Sequence, residues 1–261
     1  MTLIIGFKCS DGLVVGADSG ATMGNYVSGL RTVMQPMTKL GVVGGKAIVG
    51  VSGPVGLGQL YVDCVDRIHN DFRNLDAPAV CRMLREEFRK DAEIALHMAA
   101  MATRVLGSQA QVGAVTTILV ALTAKNEPHL IQFDCECCPE MATNDLPFVS
   151  IGSGQIIADP FLAFLRRIFW KERLPSVSEG TFAIVWTLEH AIATAPGGIA
   201  PPITLGVLTM EGTQPKARLL SKDELLEHRQ VIGQAEDHVR EFKQEQRPRA
   251  TEPEPPQPIS S

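Results

Sequence analysis

Met1 is followed by Thr2, and an initiator methionine is removed when the residue after it is small. The exposed threonine would carry a hydroxyl nucleophile and a free α-amine on one residue. An α-amine titrates at about 7.7 to 8.0, close to working pH, so it can take the hydroxyl proton and act as that residue's own general base. Threonine paired with its own amine is one established way of activating a weak nucleophile. Two charged residues downstream suit that role. Asp18 ends an apolar strand pattern, where a carboxylate is costly to bury without a partner, and Lys39 opens the next strand pattern as its counter-ion. A paired lysine there holds positive charge beside the amine and favours its neutral, basic form.

The elements that must position these residues can be read from pattern. Residues 2–8 and 12–18 form a hairpin with a turn centred on Ser10, which predicts Asp18 directly opposite Thr2. Residues 19–38 read as a loop, and 39–43 with 46–51 as a second hairpin that ends in Ser52-Gly53-Pro54. Two helices follow, one carrying Tyr61, Val65 and Ile68, the other N-capped by Asp76 with Pro78 in its first turn. Strands are expected at 116–122, 129–133 and 147–151. Two more helices come next: 156–170, apolar nearly all round and so expected to be buried, and 177–194. A strand at 203–210 closes the pattern. Strands, paired helices, strands, paired helices and a strand predict an α+β fold, a four-layer αββα sandwich.

Composition sets the limits. The chain has 261 residues, 45% of them hydrophobic, and a formal charge of -5. A chain of this length buries about three quarters of its unfolded surface, so disulfides or metal are not needed for a core. One domain is expected over 2–220, with a helical extension over 221–244 and a disordered proline-rich tail over 245–261. Lysines and arginines are scattered singly, which argues against nucleic acid. The N-terminus lacks a signal-peptide pattern and the longest uncharged stretch is broken by polar residues, so no membrane segment is expected and the expected location is cytoplasmic. Cys9, Cys64, Cys81, Cys135, Cys137 and Cys138 are expected to be free thiols there. Cys135-Glu136-Cys137-Cys138 has no second ligand pair and none of the six histidines lies in an HExxH, so no metal and no cofactor is expected.

Thr2, Gly16-Ala17-Asp18, Ala21-Thr22-Met23-Gly24-Asn25, Lys39-Leu40, Ser52-Gly53 and Ile151-Gly152-Ser153-Gly154 occur in one order and spacing. Together they resemble the proteasome β-subunit and HslV family of N-terminal nucleophile hydrolases, most of all its betaproteobacterial proteasome homologues. The likeness runs from Thr2 to about Met210. It implies Thr2 as nucleophile and base, Asp18 and Lys39 as electrostatic partners, Ser153 as a polar neighbour of the amine, and Gly53 N–H in an oxyanion hole. Ala21, Val51 and Val55 would line the substrate pocket and favour apolar side chains.

The resemblance further implies a homo-oligomeric double ring, a 14-mer favoured over a 12-mer, which acts on peptides or unfolded protein with a possible ATPase unfoldase as partner. Two departures stand out. The stretch between Met23 and Lys39 is a few residues longer than the family pattern, so Lys39 is assigned by its Lys-Leu context, ahead of Lys46. Where the family carries an aspartate and, three residues on, a serine before Gly-Gly, this chain has Ala193 and Pro196. The reading is a threonine endopeptidase subunit. The alternatives are a catalytically weak or inactive ring-forming chamber, or an amidase of the same class acting on small molecules.

Overall fold

The computed structural model describes residues 2–25, 30–106, 115–195 and 198–245. Pro196 and the tail beyond Glu245 lie outside them. In chain order the strands and helices are β1 (Ile4–Lys8), β2 (Gly12–Ala17), β3 (Gly20–Asn25), β4 (Leu30–Pro36), β5 (Leu40–Val43), β6 (Ala47–Ser52), α1 (Val55–Ile68) and α2 (Ala77–Leu106). There follow β7 (Thr117–Ala124), β8 (Glu127–Phe133), β9 (Pro139–Met141), β10 (Phe148–Ile151), α3 (Gln155–Phe169), α4 (Val177–Thr194), β11 (Thr204–Glu211), β12 (Gln214–Leu219) and α5 (Lys222–Glu245).

One antiparallel sheet runs β10-β1-β2-β11-β12 and a second runs β5-β6-β7-β8-β9. Alternation along the strands divides the apolar residues among three layers. Ile4, Leu13, Val15, Ile48, Leu119 and Leu130 pack between the two sheets. Leu3, Ile5, Phe7 and Val14 face outward against Leu162 and Leu165 of α3 and Ile184 and Leu188 of α4. Val49, Ile118 and Val120 face outward from the other sheet onto Tyr61 and Val65 of α1 and Leu84 and Phe88 of α2. The result is the four-layer αββα sandwich that the element order implied.

Three expectations are corrected. The first hairpin turns on two residues, Ser10 and Asp11, with Cys9 N–H donating to the Gly12 carbonyl at 2.9 Å, and not on Ser10 alone. The pairing is therefore Ile4↔Ala17, one residue out of the expected register. Residues 19–38 are not a loop: β3 and β4 form their own two-stranded sheet there. Short β9 and β12 also pair as edge strands. Finally, α3 is not buried all round. It buries Ala158, Leu162 and Leu165 but exposes Ile156, Phe164, Ile168 and Phe169, because the sheet and α4 cover one face only. The helix that is apolar on nearly every side is α4.

A reciprocal cap starts α4. The Ser176 hydroxyl accepts from Glu179 N–H at 3.3 Å, while the Glu179 carboxylate accepts from Ser176 N–H at 2.8 Å. The carboxylate also pairs with Arg173, and chiefly for that reason Glu179 titrates well below its ordinary value of 4.5. A depressed carboxyl pKa stabilises the fold fully above the ordinary value and less as pH falls through the folded one. Ser176→Ala should cost about 1 kcal/mol in urea unfolding. Glu179→Gln should flatten the fall in stability below pH 4.5, measured as the unfolding midpoint against pH.

Candidate active site

The site is built around the end of β2. Asp18 is completely buried, and its carboxylate is held by donors on both oxygens. Oδ1 accepts from Leu3 N–H at 2.9 Å and from Lys39 Nζ at 2.7 Å. Oδ2 accepts from Gly20 N–H at 2.9 Å and from Ala200 N–H at 3.2 Å. Four donors thus satisfy a carboxylate that would be costly to bury without them.

Lys39 reaches this carboxylate from the other sheet, just before β5, and is itself buried. Its Nζ also lies 3.1 Å from Thr2 Oγ1 and donates to it. Burial lowers the Lys39 pKa below the usual lysine value, and the Asp18 charge and hydrogen bond oppose that fall. A cation held in a dry site and touching a hydroxyl favours the alkoxide that a nucleophile must become.

Thr2 is fixed from a third side by the turn after β10. Its nitrogen donates to Ser153 Oγ at 3.3 Å, and its carbonyl accepts from Gly154 N–H at 3.1 Å. Gly152 has φ +95°, and a Cβ there would lie 2.3 Å from the Thr2 carbonyl oxygen. Glycine is therefore demanded twice over, by conformation and by contact.

The other expected residues fall nearby on connected elements. Gly53, with φ +144°, links β6 to α1, and Ser52 Oγ lies 3.0 Å from where a Gly152 Cβ would stand. Val51, next to last in β6, is half-buried and packs towards Gly58 on α1, Val55 is exposed in the first turn of that helix, and Ala21 is buried on β3. Thr2, Asp18, Lys39 and Ser153 are thus joined by direct contacts. Gly53 follows Ser52, which approaches Gly152, and Ala21 follows Gly20, whose N–H donates to Asp18, while Val51 and Val55 flank the Ser52-Gly53-Pro54 turn. Lys46, the less favoured lysine, stands at the other end of the β5-β6 hairpin, bonded to Asn70 at 2.9 Å.

Some contributors carried no readable signal. Leu3, Gly20 and Ala200 act through backbone N–H groups, which sequence does not label. Ala193 is exposed in the last turn of α4, while just beyond Gly198 the chain turns inward to place Ala200 N–H on Asp18. The thiol-rich run 135–138 forms the turn between β8 and β9, where Asp134 Oδ1 accepts from Glu136 and Cys138 N–H. Among the described residues no cluster of three potential metal ligands occurs, and no helix is long and apolar enough to cross a membrane.

The proteasome subunit family model matches residues 2–167, which contain Thr2, Asp18, Lys39, Gly53 and Ser153. This chain belongs to the proteasome subunit family. Solved structures with the same fold include Anbu (ancestral beta-subunit) from Yersinia bercovieri, 16% identical with a TM-score of 0.67, covering 96% of this chain and 100% of that one. Anbu from Hyphomicrobium sp. strain MC1 is 17% identical with a TM-score of 0.66 over 96% and 100%. Anbu from Pseudomonas aeruginosa, described as a helical assembly, is 16% identical with a TM-score of 0.64 over 98% and 99%. No curated protein matches the sequence significantly.

Lys39 and Asp18 depend on each other for burial. Lys39→Met strands a carboxylate in the interior and should cost about 3–5 kcal/mol in denaturant unfolding, the usual effect of breaking a buried pair. Adding Asp18→Asn should restore much of that loss.

Proposed function

We propose that this chain is a threonine endopeptidase subunit working in a homo-oligomeric assembly. The observation that carries the reading is Lys39 Nζ, 2.7 Å from Asp18 and 3.1 Å from Thr2 Oγ1, in a chain that the proteasome subunit family model matches over residues 2–167. While Met1 is attached, the Thr2 nitrogen is an amide and has no basic lone pair. Loss of Met1 turns it into an amine beside Ser153 Oγ and switches the site on.

Thr2 Oγ1 then attacks the scissile carbonyl as its proton passes to that amine. Lys39 stabilises the forming alkoxide and Gly53 N–H the oxyanion. The amine returns the proton to the leaving nitrogen, the C–N bond breaks, and an acyl ester on Thr2 remains. Water, deprotonated by the same amine, hydrolyses the ester. Peptide or unfolded protein is the substrate, and the small apolar Ala21, Val51 and Val55 favour apolar side chains before the cut bond.

The apolar face of α3, with Phe164, Ile168 and Phe169 exposed, supports burial between subunits, since monomers rarely leave such patches open. A closed double ring, fourteen subunits in preference to twelve, is the proposed form. The helical assembly of the Pseudomonas Anbu gives the alternative, because a head-to-tail interface that fails to close a ring builds a helix. An ATPase unfoldase is the proposed partner and the cytoplasm the proposed location. Ala193 in place of the family aspartate favours one second reading, a ring-forming chamber with weak or no activity.

Intact-mass spectrometry separates the two. The wild type should lack Met1 and gain one epoxyketone mass, an adduct that requires hydroxyl and free amine on one residue, and Thr2→Ala should gain none. Retained Met1 or an unmodified wild type selects the inactive chamber. Peptide hydrolysis should rise with pH through an amine pKa at or below about 8, because only the neutral amine is a base. In a fluorogenic peptide panel, faster cleavage after acidic or basic residues than after apolar ones would contradict the pocket assignment.

A further inference from the structure

Among the described residues, Thr116 Oγ1 is the buried side-chain polar atom with no hydrogen-bond partner. Thr116 is 4% exposed, precedes β7, and stands opposite Gly53, one step beyond the Ser52↔Thr117 pair. A Cβ on Gly53 would lie 2.8 Å from Thr116 Oγ1 and 2.8 Å from the Val115 carbonyl oxygen. The hydroxyl is therefore packed directly against the turn assigned to the oxyanion hole. Valine fills the same space, and a buried hydroxyl left unpaired is a worse choice for the resting fold than a methyl group. A buried hydroxyl without a partner calls for an explanation, and a partner acquired in another state of the site supplies one.

The surroundings narrow down what that partner is. Thr116 shares strand parity with Ile118 and Val120, which face α1 and α2, whereas Ser52 lies against Gly152 beside Thr2. Thr116 and Thr2 thus flank the turn from opposite faces. Pro54 has no N–H, and Gly53 N–H is committed to the oxyanion. What the turn can offer a hydroxyl is a carbonyl oxygen. Gly53 has the backbone freedom to reorient a peptide, and its φ of +144° places it where residues with a Cβ rarely go.

We propose that Thr116 is a positioning residue of the oxyanion turn. Its hydroxyl donates to a carbonyl of the Ser52-Gly53 turn as that turn closes on the tetrahedral intermediate, and it has no partner in the resting chain. Because carbonyl and N–H of a trans peptide point in opposite directions, capturing the carbonyl on the Thr116 side holds the N–H towards Thr2. A bond absent in the ground state and made in the transition state raises kcat and leaves KM unchanged. The assignment rests on Thr2 being the nucleophile.

The test compares assembled wild type, Thr116→Val and Thr116→Ser, with a fluorogenic peptide for turnover and thermal unfolding for stability. Thr116→Val should lose about tenfold in kcat, the worth of one hydrogen bond, with KM within about twofold, while its melting temperature rises because the unpaired hydroxyl is gone. Thr116→Ser keeps the hydroxyl and should retain most of kcat. Unchanged kcat in Thr116→Val, or a loss that Thr116→Ser shares equally, overturns the proposal while leaving the peptidase reading standing. A lower melting temperature for Thr116→Val means the hydroxyl is partnered at rest, and also overturns it. A wild type with no turnover and no Thr2 adduct removes the peptidase reading, and this assignment with it.

Discussion

A carboxylate buried without exposure at the end of β2 governs the arrangement around it. A carboxylate is costly in that interior unless donors surround it, and the donors to Asp18 come from four separate places in the chain: Leu3, Gly20, Lys39 and Ala200. Lys39 belongs to the sheet opposite Asp18, so the ion pair is also a tie between the two sheets. The same lysine then has one face left for Thr2 Oγ1. One side chain thus both partners Asp18 and touches the Thr2 hydroxyl. Removing the pair for a more stable core would remove the cation beside the hydroxyl.

The layers serve this arrangement. Two sheets face each other across Ile4, Leu13, Ile48 and Leu119, and each carries its own helix pair on the outside. Thr2 enters just ahead of β1, which pairs with β10 on one side and β2 on the other. Those two neighbours deliver the Gly152-Ser153-Gly154 turn and Asp18 to the same place. The Ser52-Gly53 turn arrives from the second sheet, backed by Thr116. The ends of core strands thus place the Thr2 hydroxyl, a rigid setting of the kind a site needs where misplacement by about 1 Å costs activity.

Family membership and a shared fold do not fix activity, because function depends on the site. Here the site brings together a hydroxyl, a lysine, a carboxylate and a serine near the Thr2 nitrogen. The N–H of Ala200 completes the set of donors around Asp18. The exposed aromatic face of α3 belongs to a different level of the structure. A chain alone leaves it uncovered, and a second copy is the economical way to cover it.

Period-2 and helical patterns were enough to give the αββα order, both hairpins, the Asp76 cap and the paired helices, because burial on one face leaves a mark every second or every third to fourth residue. The pairing of Asp18 with Lys39 was legible too, since a charged residue ending an apolar strand is conspicuous and demands a partner. The register of the first hairpin was not, because a two-residue turn and a one-residue centre leave the same strand pattern while shifting the pairing by one. Residues 19–38 hid β3 and β4 because their mixed residues show no clean alternation. Tertiary structure alone decided which face of α3 was covered, which backbone N–H groups close on Asp18, and that Thr116 lies unpaired beneath Gly53. Such facts depend on what another part of the chain brings into contact, and a backbone amide or a neighbour's approach has no letter of its own in the sequence.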